Sequence, residues 1–141
     1  MTEVANMIKT SNMFKNIAID IYDKYLKNKV YGYYIPLIVN SAFSSEVALK
    51  YMLKYDNGSY KSIHKLYDLW VPLNKHYKIC IYSYFKEICQ TPYDFTYIDN
   101  KIKEFSNIFI DFRYSFERSR TYVEPKFIME LMYAVSFVAN C

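Results

Sequence analysis

The sequence predicts an all-α fold: an antiparallel bundle of about five or six helices forming a single domain over residues 1–141. Three observations predict it. Apolar residues recur at steps of three and four along most of the chain, the spacing that gathers them on one helix face. Only two glycines and four prolines punctuate the 141 residues, so long elements outnumber sharp turns. At 52% hydrophobic residues, a chain of this length can bury a core without metal or disulfide support. No internal repeat, charged block or linker composition divides it.

The first periodic segment runs from about Val4 to Asn28, with Met7, Ser11, Phe14, Ala18, Ile21 and Tyr25 on one stripe. Lys27, Asn28, Lys29 and then Gly32 mark its end, and Pro36 suits the first turn of a second helix. That helix is expected to reach about Tyr55 on a stripe of Ile35, Val39, Ala42, Glu46, Leu49 and Leu53, which puts one carboxylate in an apolar seam. Asp56, Asn57, Gly58 and Ser59 form the clearest turn in the chain. Ser62 is the expected cap of a third, shorter helix with Ile63, Leu66, Tyr67 and Trp70 inward, His64 in its first turn and Pro72 at its end.

A fourth helix is expected from about Lys75 to Cys89, although its β-branched and aromatic residues would also suit a strand. After the break at Thr91, Pro92 and Tyr93, the spacing predicts one long helix from about Phe95 to Ser119. Its apolar face carries Ile98, Ile102, Phe105, Ile108, Phe109, Phe112 and Phe116, with Arg113 and Glu117 along the flank. Pro125 then suits the first position of a last helix that presents Ile128, Leu131, Met132, Val135 and Val138 to the core.

Composition narrows the function classes without choosing one. The net charge of +4, from 18 basic and 14 acidic residues, modestly favours RNA, DNA or an acidic partner. The 17 tyrosines accompany many lysines, isoleucines and asparagines, as AT-rich coding produces, so aromatic content alone assigns no binding role. No apolar run is long enough to span a membrane, and the first residues lack the basic start and apolar centre of a signal peptide. The expected location is therefore the cytoplasm, with no membrane partner. Cys80, Cys89 and Cys141 are odd in number and lack CxxC spacing, which suits reduced thiols and predicts neither disulfide nor structural zinc.

Polar residues on apolar faces are the candidates for chemistry: Glu46, Lys50, His64, Arg113 and Glu117. Glu46 with Lys50, and Arg113 with Glu117, are four apart and can meet along their helices. A guanidinium at the edge of a core needs partners, so Glu46 and Arg113 are expected to meet, directly or through Lys50 or Tyr114. His76, beside Lys75 and Lys78, reads as a solvated surface residue. There is no Gly-rich phosphate loop, no paired histidine at metal-ligand spacing and no recognisable nucleophile setting, so neither cofactor nor metal is implied.

Three segments in order, FSSEVALKYML, SIHKLYDL and FIDFRYSFE, together resemble the small bacterial branch of the HEPN superfamily, the higher eukaryotic and prokaryotic nucleotide-binding domains. The resemblance runs from about Phe43 to Glu117. It implies a helical bundle that usually forms a homodimer, in a superfamily of metal-independent endoribonucleases from toxin–antitoxin and antiphage defence systems, alongside inactive members that bind proteins or nucleotides. The usual ribonuclease motif is an arginine followed, after four to six residues, by a histidine. Arg113 stands where that arginine would fall, but the histidine positions hold Arg118, Ser119 and Arg120, so the motif is not intact.

Metal-free RNA cleavage needs a group for the 2′-hydroxyl proton and a donor for the phosphate oxygens. The resemblance makes Arg113 the phosphate group and gives His64 the helix-capping or packing role ordinary for a histidine after the turn. If the chain cleaves RNA, a group outside the usual motif, His64, Tyr114 or Glu117, would handle the proton, and the basic residues Arg118 and Arg120 read either as RNA phosphate contacts or as a solvated helix end. Glu46 and Lys50 form the accompanying polar cluster. Two expectations stay open: a protein acting on or binding RNA through a cleft containing Arg113, and an inert interaction module that serves a cognate protein as antitoxin, adaptor or regulatory subunit.

Overall fold

The computed structural model describes residues 2–28, 31–107, 111 and 124–141. Among these residues the fold is all-α, with six helices and one short 3-10 turn. The elements are α1 (Glu3–Asn28), the turn at Tyr31–Tyr33, α2 (Tyr34–Asn57), α3 (Leu66–Trp70), α4 (Lys75–Glu87), α5 (Phe95–Glu104) and α6 (Pro125–Ala139). None of them is long and apolar enough to cross a membrane.

Helices α1 and α2 form an antiparallel hairpin, since Glu3 pairs with Lys54 at 3.4 Å and the Tyr25 and Tyr34 rings lie 6.4 Å apart at the other end. Small residues let the two backbones approach: the Ser11 hydroxyl donates to the Ser44 carbonyl at 2.8 Å, and the Ser44 hydroxyl donates back to the Ser11 carbonyl at 2.9 Å. These are buried polar groups that are fully satisfied.

Among the described residues α2 is the central element, packed against α1, α3 and α6. Its inward stripe is therefore wider than a one-sided periodicity predicts. Ala42, Glu46, Leu49 and Leu53 are buried as expected, but Ile35 and Val39 are only half-buried, while Leu37, Ile38, Ser41, Ser45 and Met52 are fully enclosed. Gly58 ends the helix with φ +77°, a left-handed conformation open to glycine, and donates its N–H to the Lys54 carbonyl at 2.8 Å.

The 75–87 segment is helical rather than strand, started by Asn74, whose side chain accepts from the His76 N–H at 2.8 Å. Helix α6 begins with Pro125 at its first position and buries Ile128, Leu131, Met132, Val135 and Val138.

Two expectations are corrected. The third helix begins at Leu66, not after Ser62, so His64 lies in the irregular stretch before it instead of in its first turn. The cap comes from elsewhere in the chain: the Leu66 N–H donates to the Ser106 carbonyl at 3.1 Å and the Tyr67 N–H to the Ser106 hydroxyl at 3.3 Å. The long helix expected over 95–119 is also interrupted. Helix α5 stops at Glu104, residues 105–107 form a turn, and the Ser106 carbonyl and hydroxyl serve the start of α3. Phe105 keeps its inward role, packing its ring 5.5 Å from Phe127.

Candidate functional site

The buried seam of α2 carries one ionised partnership. Glu46 is 1% exposed, and its Oε2 accepts from Lys50 Nζ at 3.0 Å, one helical turn on. The same oxygen lies 3.1 Å from His64 Nδ1, which arrives from the Gly58–Lys65 loop. A carboxylate only accepts, so this arrangement places the proton on Nδ1 and leaves Nε2 as the ring nitrogen that Glu46 does not engage. The His64 side chain is 52% exposed. A surface imidazole is thus held by a carboxylate that water does not reach.

Lys50 is enclosed as well, its side chain 11% exposed and its Nζ 5.6 Å from the centre of the Tyr60 ring. Pairing two such charges is what makes their burial tolerable, because each would otherwise lose hydration without compensation. Glu46 Oε1 is buried and has no hydrogen-bond partner among the described residues. Lys50 Nζ and His64 Nδ1 therefore converge on one oxygen.

The loop bringing His64 to Glu46 is basic and partly aromatic. Tyr60, Lys61, His64, Lys65 and Tyr67 follow in sequence, no acidic residue stands between Gly58 and Tyr67, and Lys61, His64 and Lys65 are exposed. Lys103, from α5, sits 5.7 Å from the Tyr67 ring. On the same side, Lys61, Ile63, Asp68, Val71 and Pro72 line an open depression of about 320 Å³.

Of the residues singled out from the sequence, the fold brings Glu46, Lys50 and His64 together. Arg113, Tyr114, Glu117, Arg118 and Arg120 lie outside the described residues, as do Ile108, Phe109, Phe112 and Phe116, so the expected meeting of Glu46 with Arg113 falls there too. The described partners of Glu46 are Lys50 and His64. Lys61, Lys65 and Tyr60 were missed as neighbours of the site, although the run of basic residues without an acidic one was visible in the sequence.

A second titratable cluster lies where α6 meets the 91–93 segment. The Tyr93 hydroxyl donates to Glu130 Oε1 at 3.2 Å, and burial raises the Glu130 carboxyl although Lys126 and the Tyr93 bond oppose the shift. Burial, then the Glu130 charge, pushes the Cys89 thiol up to about 11, which disfavours it as a nucleophile. Tyr77 is held up to about 12 by burial and by its 2.9 Å bond to Asp56. Among the described residues, no three histidine, cysteine or acidic groups stand close enough to share a metal ion.

No family model matches the chain, and neither a curated protein nor a solved structure is similar to it. What the fold and site define is a class: an all-α helical bundle in which a buried carboxylate–ammonium pair holds a surface histidine.

Proposed function

We propose that the chain is a HEPN-like protein of a bacterial defence or toxin–antitoxin setting that binds or acts on RNA through a surface including the Gly58–Lys65 loop. The observation that supports this reading is the His64 imidazole, half-exposed and oriented by buried Glu46, set among exposed lysines and two tyrosines. Lysines at such a surface neutralise phosphates. Arg113, Arg118 and Arg120 enter the same reading from the sequence alone, as further phosphate contacts.

RNA retention by the purified protein tests it, measured across a salt series. The Lys61→Glu, Lys65→Glu double variant is expected to bind more weakly and to flatten the salt slope by about 1.4, at roughly 0.7 for each lost phosphate contact on a single strand. Equal affinity and equal slope in wild type and variant would refute the assignment of this loop.

A second reading has its own observation. Ile88 is 63% and Phe137 56% exposed, and the Tyr84 ring lies 5.1 Å from Phe137, an apolar patch on the α4–α6 seam that suits a protein partner. That partner would be a second copy, giving the homodimer, or a cognate protein. Failure of the wild type to retain any RNA, with a dimer mass by light scattering, favours the interaction module.

A further inference from the structure

The open depression of about 320 Å³ beside α3 is lined by three apolar residues, Ile63, Val71 and Pro72, with one cation, Lys61, and one anion, Asp68. Val71 is 54% exposed and Pro72 is exposed beside it, so the apolar wall faces solvent. Among the described residues neither the Lys61 nor the Asp68 side chain makes an ion pair, and the two do not reach each other across the depression. Both sides are fixed by the fold. Ile63 donates its N–H to the Lys61 carbonyl at 2.9 Å, closing a tight three-residue turn. On the α3 side, Val71 donates to the Tyr67 carbonyl at 2.9 Å, and its own carbonyl accepts from Lys78 Nζ at 3.1 Å. The Val71–Pro72 step is flanked by buried Trp70 and Leu73, and the Trp70 indole is tied to Asp99 at 3.0 Å. A surface formed in advance costs little ordering when a ligand settles on it.

An apolar wall carrying one charge of each sign selects its occupant. A phosphate matched to Lys61 gains nothing from Asp68 and leaves Ile63, Val71 and Pro72 uncovered. The end of a polypeptide chain meets all three demands: a carboxylate for Lys61, an apolar last side chain for the wall, and a backbone N–H for Asp68. The volume lies at the low end of the roughly 300–1,000 Å³ of ligand pockets, which suits one or two residues rather than a long segment. We infer that this depression docks the free carboxyl terminus of a partner polypeptide whose last residue is apolar. Lys61 holds the carboxylate, Ile63, Val71 and Pro72 cover the last side chain, and Asp68 accepts from a backbone N–H. This docking goes beyond the RNA reading and does not rest on it.

The experiment uses the full chain and a short fluorescein-labelled peptide ending in leucine with a free carboxylate, followed by fluorescence anisotropy beside the same peptide closed by an amide. The wild type is expected to bind the acid saturably and the amide about fivefold more weakly, the worth of one ion pair at an open surface. Lys61→Ala is expected to bring the acid down to the level of the amide while leaving the amide unchanged. Val71→Asp, which sets a like charge in the apolar wall, is expected to weaken both forms roughly tenfold. Both substituted positions are exposed, and the melting temperature of each variant is measured in the same preparations. Equal affinity of the wild type for acid and amide overturns the proposal, as does a preference for the acid that persists in Lys61→Ala. Binding unchanged by Val71→Asp, or no saturable binding of the acid, overturns it too. Free leucine that displaces the peptide at the peptide's own concentration also overturns it, in favour of a small amino acid as the occupant.

Discussion

Replacing Glu46 by glutamine keeps the shape of the side chain and removes its charge, leaving the Lys50 ammonium 11% exposed without a counter-ion. Breaking a buried pair from one side costs about 3–5 kcal/mol, against a total stability of roughly 5–15 kcal/mol for a domain of this size. Lys50 retains a little solvent access through which its ammonium can move outward, so the lower end of that range is expected. Urea unfolding followed by circular dichroism measures the loss as a lowered midpoint with an unchanged slope. The paired change Glu46→Leu with Lys50→Met removes both charges together, and its stability is expected to return to about the wild-type value or above it. A loss below about 1 kcal/mol for Glu46→Gln, the scale of a solvated ion pair, would refute the desolvated pairing. So would a double variant as unstable as the single one.

Ser106→Ala is expected to cost roughly 1 kcal/mol by removing the hydroxyl that receives the Tyr67 N–H, whereas Ser62→Ala should be nearly silent; the reverse ranking in urea unfolding would restore Ser62 as the cap. Burial holds the Glu130 carboxyl above its ordinary 4.5, so the folded chain keeps that proton longer than the unfolded one. The resulting stabilisation is complete below the unfolded value and is lost as pH rises through the folded one. Glu130→Gln cannot ionise, so its stability relative to wild type should improve as pH rises through that window; parallel curves would count against the burial effect.

Where an element's signals are local, the sequence carried them. Helix α6 starts at Pro125 and buries the residues that its periodicity selects, and α2 stops at the one glycine with a left-handed backbone. The start of α3 was not legible, because its cap is Ser106, forty positions beyond Leu66, and no local pattern announces a donor–acceptor match at that separation. The same turn ends α5 where apolar spacing alone would continue it. In the candidate site, a carboxylate within an apolar stripe singled out Glu46, and four-residue spacing supplied Lys50. The arrival of His64 depends on the path of an irregular loop, which periodicity does not describe. The expected partnership of Glu46 with Arg113 lies beyond the described residues.

The exchanged serine bonds between α1 and α2 also fix the alignment of the hairpin. A slide of one helix past the other by one turn, about 5.4 Å, would part the Phe14 and Phe43 rings, now 4.5 Å apart. The same slide would carry the Ser11 and Ser44 hydroxyls away from the carbonyls they serve and leave both enclosed. At about 1–3 kcal/mol for each stranded group, the shifted alignment becomes a minor species. Two of the smallest polar side chains in the interior thereby hold the hairpin to one alignment, by hydrogen bonds that the apolar contacts around them could not supply.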